Sequence, residues 1–161
     1  MAKRFTDTDK WKDDWYMGLS NDYRIIWQYI CDNCTGAGRF KKNFKLLNFC
    51  CNTSIDEKEF KKIFDGRAVD MGDYFFFPGF LKFQYPRGLN SDKPAIISVK
   101  HEVLLYSLLE IVKKSLGNDY LIVKDKDKKR LDKDKTGQGD RFNPKVVQLV
   151  HKTAEKLRAK Q

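Results

Sequence analysis

The 161 residues suffice for about one domain with a sizeable core, and 41% hydrophobic and 14% aromatic residues exclude a disordered chain. No apolar run nears the roughly 20 residues of a membrane helix, and Met1 to Asp9 lacks the apolar stretch of a signal peptide, so a cytoplasmic chain without a disulfide scaffold is expected. A net charge of +10 favours an acidic partner, and two histidines leave little for histidine-based catalysis.

Trp11, Trp15 and Tyr16 around Asp13 and Asp14 suggest a short helical turn that docks aromatics. Ser20 or Asn21 caps a helix running to about Asn33, with Tyr23, Ile26, Trp27 and Ile30 on one face. Gly36 and Gly38 stop it, and Arg39 to Lys42 is a short extended piece. Asn43 caps a second helix carrying Phe44, Leu47, Cys50 and Cys51. Thr53 or Ser54 caps a third, Ile55 to about Phe64, with Phe60, Ile63 and Phe64 inward. A hairpin follows: Arg67 to Asp70, a turn at Met71-Gly72-Asp73, then Tyr74 to Phe77, ended by Pro78 and Gly79. This order is that of a winged-helix domain, a variant of the helix-turn-helix plan.

Phe80 to Tyr85 reads as a further helical turn, and Pro94 to Leu116 as one long helix. Eight of the ten residues from Val103 to Val112 are apolar, so that helix is either sandwiched in a core or shared with a second subunit. Tyr120 to Val123 is expected as an edge strand. Lys124 to Lys135 holds seven basic and four acidic residues around one leucine, the composition of a solvated linker. Asn143 and Pro144 then open a basic amphipathic tail helix with Val146, Val150, Ala154 and Leu157 in its stripe. The expected organisation is a winged-helix domain over 1–95, a supporting or dimerising helix and short strand over 96–123, a charged linker over 124–142 and the tail helix over 143–161. The class is mainly α with a small β-hairpin (α+β).

Two blocks carry a family resemblance. The first is Lys3-Arg4-Phe5-Thr6-Asp7-Thr8-Asp9-Lys10-Trp11, Trp15 and Tyr23 to Gly38, within which Asp32-Asn33-Cys34 and Ala37-Gly38 are the most specific. The second is Phe77-Pro78-Gly79-Phe80-Leu81-Lys82-Phe83-Gln84-Tyr85, then Gly88-Leu89-Asn90 and Lys93-Pro94. Over about 95 residues the chain resembles the N-terminal region of phage replisome-organiser and replication-initiator proteins. The resemblance implies a winged helix that binds an origin or other DNA during replication of a phage or mobile element. Fuller members add a C-terminal region thought to engage the replicative helicase or its loader; here a basic linker and one helix follow.

On that reading Lys58, Lys61 and Lys62 of the third helix, with Arg39, Lys41, Lys42 and Lys45 nearby, form a basic face that touches phosphate. The alternative is an ordinary solvated surface. Lys128, Lys129 and Arg130 in the linker add electrostatic reach, and Asn48 and Asn52 are conceivable base readers, Asn52 being the better turn or capping residue. Asp56, Glu57 and Glu59 crowd the end of the helix that meets bases, and the hairpin turn carries no Lys or Arg. These features suit a second reading, a protein-binding module of the same fold. Its partner is a host replication or defence protein, and its role that of a replisome adaptor or an inhibitor of a host nucleic-acid machine.

Cys31 and Cys34 with Cys50 and Cys51 read as packed free thiols rather than a zinc site, because adjacent cysteines rarely bind one ion. Seven aromatics between Tyr74 and Tyr85 read as core, with Phe75 and Phe77 on one side of the strand and Phe76 on the other. Thr136 to Asp140 lacks the lysine of a phosphate loop, and His101 and His151 have no partner at catalytic spacing. No enzyme, cofactor or metal is expected; duplex DNA is the expected partner, with a second subunit through Val103 to Leu116.

Overall fold

Asp13, Ser20, Asn43 and Asp56 each turn a side-chain oxygen onto the backbone N–H three residues on, and a helix starts after each. In the computed structural model, which describes residues 8–122 and Asp127, these helices are α1 (Asp14–Gly18), α2 (Asn21–Asn33), α3 (Phe44–Cys51) and α4 (Glu57–Ile63). Strands β1 (Arg39–Lys41), β2 (Val69–Asp70) and β3 (Tyr74–Phe76) form one sheet in the order β1-β3-β2. Helices α5 (Pro78–Gln84), α6 (Pro94–Leu105) and α7 (Leu109–Leu116) follow. The expected class holds: mainly helical, with a small three-stranded antiparallel sheet. The described residues divide into two units, the first running to Val69 and resuming at Tyr74–Gln84, the second taking Asp70–Asp73 and the described residues from Tyr85.

The first unit is built on aromatic rings. Phe60 of α4 stacks on Phe75 of β3 at 4.5 Å between centroids, lies 4.5 Å from Phe64 and meets Phe44 of α3 edge-on. Ile26 and Ile30 of α2, Leu47 and Cys51 of α3, and Phe77 and Phe80 close the same core. Beside the sheet, Gly38 holds φ +82°, and a Cβ there would lie 2.8 Å from the Phe77 carbonyl oxygen. Only glycine permits this approach, which lets the Phe77 N–H donate to the Gly38 carbonyl. The α1 segment is fastened to the end of α4. Trp15 donates its indole N–H to the Ile63 carbonyl, and Arg67 lies 4.0 Å over the Trp15 ring while pairing with Asp13.

Several local expectations are corrected here. The third helix begins at Glu57, not Ile55, because Asn48 of α3 takes the Ile55 N–H and Asp56 supplies the cap in place of Thr53 or Ser54. The first hairpin strand shrinks to Val69–Asp70, since Arg67 and Ala68 donate their N–H groups back to the Phe64 carbonyl. Cys50 is exposed and Cys51 buried, so the inward stripe of α3 is Leu47 and Cys51. Phe75, Phe76 and Phe77, by contrast, are all buried, as the core reading of these rings expects.

In the second unit the expected helix over Pro94–Leu116 is two helices. α6 ends in a Schellman turn: the Leu108 N–H reaches the Val103 carbonyl, the Ser107 N–H reaches Leu104, and Ser107 takes φ +55°. The turn leaves Val103, Leu108 and Val112 all fully buried, which a straight helix with apolar groups on several faces would not allow. No edge strand forms at Tyr120–Ile122, where the Tyr120 carbonyl and the Ile122 N–H are taken by Leu89 and Asn90 and the Tyr120 N–H by the Gly117 carbonyl; Val123 lies outside the described residues. Leu89 donates to the Tyr120 carbonyl, Asn90 accepts from the Ile122 N–H, and Gly88 sits where a Cβ would come within 2.8 Å of the Tyr120 oxygen. Burial pushes the Tyr120 phenol up to about 12 while its hydroxyl donates to the Tyr85 carbonyl. Lys100, in the middle of α6, is buried and pairs with buried Asp127 at 3.5 Å. That residue belongs to the run expected as a solvated linker, so at this position the expectation is corrected; the tail helix lies outside the described residues.

Two outcomes follow. Ser107→Gly relieves the left-handed strain and raises stability by about 1 kcal/mol in thermal or denaturant unfolding. Asp127→Asn removes the counter-charge of a buried ammonium and costs ~3–5 kcal/mol, most of it recovered in the Lys100→Met/Asp127→Leu double variant.

Candidate nucleic-acid interface

The segment joining α3 to α4 is held by one side chain. Asn48 donates its amide N–H to the Ile55 carbonyl at 2.9 Å, and its Oδ1 accepts from the Ile55 N–H and the Thr53 hydroxyl, each at 3.0 Å. Its polar groups are thereby engaged by the turn, which removes Asn48 as a base reader. Asn52 sits at the C-cap of α3 with φ +52°, the capping role expected of it.

On α4, Phe60 points into the core and Lys58, Glu59, Lys61 and Lys62 are exposed. Glu57 gathers two of the expected phosphate-binding lysines, accepting from Lys42 Nζ at 2.8 Å and Lys61 Nζ at 2.7 Å. Lys42 is further withdrawn: its side chain is only 12% exposed and its ammonium lies 4.4 Å over the Phe75 ring. These contacts join the end of β1 to the start of α4. Hydrogen bonds from Lys42 and then Lys61 hold the Glu57 carboxyl below the usual carboxylate range.

Lys41, Lys45, Lys58 and Lys62 remain exposed, with no ion-pair partner among the described residues. Arg39 is half-buried, its guanidinium 5.0 Å from the Tyr74 ring. Lys128, Lys129 and Arg130 lie outside the described residues. The six lysines of β1, the β1–α3 joint, α3 and α4 thus resolve into four with no ion-pair partner among the described residues and two tied to Glu57.

The other side of the turn is acidic. An open depression of about 390 Å³ is lined by Asp22, Tyr23 and Glu59 with the Asn52–Ile55 turn. Glu59 accepts from the Tyr23 hydroxyl, and that bond foremost raises the Tyr23 phenol. Two carboxylates in so small a space repel phosphate. In the hairpin turn, Asp70 accepts from the Gly72 N–H and Asp73 is exposed.

Three features were not read from the sequence: the Glu57 clasp, the Asn48 tether and the exposure of Phe49, which is 84% accessible. The clasp had a signal in Glu57 and Lys61 at i,i+4 spacing, but Lys42 enters only through the tertiary fold. Among the described residues no group of three or more His, Cys, Asp or Glu is placed to hold a metal ion, and no helix is long and apolar enough to cross a membrane. The chain matches no protein-family model, no curated protein and no solved structure.

Stability should carry the Glu57 clasp in its pH dependence. A carboxyl with a depressed folded-state pKa contributes stability that is present at neutral pH and lost as pH falls through the folded-state value. In acid titrations of unfolding free energy, Glu57→Gln flattens this loss by less than ~1 kcal/mol, because the pair is half-exposed.

Proposed function

We propose that this chain is a DNA-binding protein of the replication-initiator type from a phage or mobile element, with a winged-helix first unit and no catalytic step or cofactor. The observation that carries the reading is the arrangement α2-β1-α3-α4-β2-β3 with strand order β1-β3-β2. It is the order of a winged helix, in which α3 and α4 are the helix-turn-helix pair and α4 approaches a groove. The exposed Lys58 and Lys62 of α4, with Lys41 and Lys45 at its flank, supply phosphate contacts. Lys128, Lys129 and Arg130 extend those contacts along the backbone of duplex DNA, and the protein works in the cytoplasm of the host cell.

A second reading is supported by the acidic α3–α4 turn and the Asp70–Asp73 hairpin turn: a module of the same fold that binds a host replication or defence protein. Asp22, Asp56 and Glu59 would then meet a basic partner. The two readings separate on salt and on α4.

The test is titration of labelled duplex and single-stranded DNA at two salt concentrations, with the Lys58→Ala/Lys61→Ala/Lys62→Ala variant alongside. The DNA reading expects duplex binding whose logarithmic salt slope flattens by roughly 0.9 for each phosphate contact removed. Glu57→Gln, which releases Lys42 and Lys61, raises affinity near 0.1 M salt by up to about tenfold for each of the two lysines that then reaches a phosphate. Affinity indifferent to salt overturns the DNA reading. Binding that survives the triple variant moves the contact to the basic segment after residue 123.

A further inference from the structure

The first unit leaves an apolar face uncovered on α2 and α3. With Leu47 and Cys51 turned inward, α3 presents Leu46, Phe49 and Cys50 to solvent, and Phe49 at 84% is the most exposed large apolar residue described. Across from them on α2, Tyr29 lies beside Cys50, and Ile25, one turn earlier on the same face, is 50% exposed. The spacings Leu46–Phe49, Leu46–Cys50 and Ile25–Tyr29 are three or four residues, so the five side chains adjoin. None of them is charged. Two aliphatic groups and a thiol beside the Phe49 and Tyr29 rings, with no cation among the five, suit burial against other apolar side chains better than stacking of bases, which needs a run of rings and cations.

The rim of this face is charged with opposite signs at its two ends. Lys45 stands one helical turn before Phe49, at the start of α3. Asp22 stands at the start of α2, beside the Asn52–Ile55 turn and therefore near the end of α3. Both are exposed. A second copy turned about an axis perpendicular to α3 sets its basic end on the acidic end of the first. A parallel arrangement would set like charges together.

We propose that this face is the contact between two copies of the chain, with the α3 helices antiparallel around Phe49 and Lys45 of each copy meeting Asp22 of the other. The contact engages Lys45, which is then withdrawn from phosphate, leaves Lys41, Lys58 and Lys62 free of it, and does not depend on DNA binding. It also differs from a contact through Val103–Leu116, where Val103, Leu108 and Val112 are already buried within the chain.

Sedimentation velocity of the full chain over a wide concentration range tests it, with circular dichroism checking the fold of each variant. Wild type is expected to dimerise reversibly. Phe49→Asp raises the dimer dissociation constant at least ~30-fold, the loss of a central apolar anchor, whereas Phe49→Leu keeps the dimer. Lys45→Glu and Asp22→Lys each weaken it about two- to fivefold, and the two together restore it. A wild-type chain that stays monomeric, or a dimer indifferent to Phe49→Asp, overturns the proposal. Failure of the combined charge reversal to restore the dimer overturns the antiparallel arrangement.

Discussion

The ring of Phe60 is the contact on which the first unit depends. Helix α4 has seven residues, well below the length at which an isolated helix holds in water. Its conformation therefore comes from tertiary packing, and Phe60 supplies it by touching Phe64 along the chain, Phe75 in the sheet and Phe44 on α3. Asp56 at one end and the Trp15–Ile63 bond at the other fix the two termini. Every exposed group on α4 is thus placed by one buried ring. Lys58 and Lys62 point outward because Phe60 points in.

The same packing explains why charge at this surface is partly cancelled. Once Phe60 stacks on β3, the β1–α3 joint passes the start of α4, and Lys42 falls between the Phe75 ring and Glu57. An ammonium so enclosed is stabilised by its partners but cannot also serve phosphate. Asp13 shows the same balance near the other end of α4. Burial disfavours its ionisation, yet the Tyr16 N–H and the Arg67 guanidinium outweigh that and hold its carboxyl below the usual range. Arg67, although 39% exposed, is committed to holding α1.

What the sequence disclosed follows the range of each interaction. Ser20 and Asn43 were legible as caps because a cap needs only its own residue and the amide three places on. Gly38 was legible as a stop, though its reason, the approach of the Phe77 carbonyl, is a contact across 39 residues. The break at Ser107 was not legible: the left-handed position of a Schellman turn usually carries glycine, and here a serine bears the strain. Which of Cys50 and Cys51 turns inward is not legible in α3, since FKLLNFCC offers apolar choices on several sides and only the packed core selects Leu47 and Cys51. Lys100 was hidden for the opposite reason, a lysine at a position that only a distant aspartate makes tolerable.

The distribution of charge then sets how a nucleic-acid reading divides its work. Residues 123–161 hold thirteen basic and six acidic side chains, so most of the net +10 lies there, and residues 1–122 carry only the remaining +3. Affinity that comes from counterion release scales with the number of cations reaching phosphate, not with fold. The basic segment is therefore suited to attraction, and α4, with its few lysines and its acidic start, to setting where and in what orientation the first unit rests. On that reading, carboxylates at Asp56, Glu57 and Glu59 would lower non-specific affinity at that helix, so a duplex would be accepted only where other contacts outweigh the repulsion. A paired Phe49 face would add a second basic segment to each complex, and two modest electrostatic contacts held together gain by effective concentration what neither has alone.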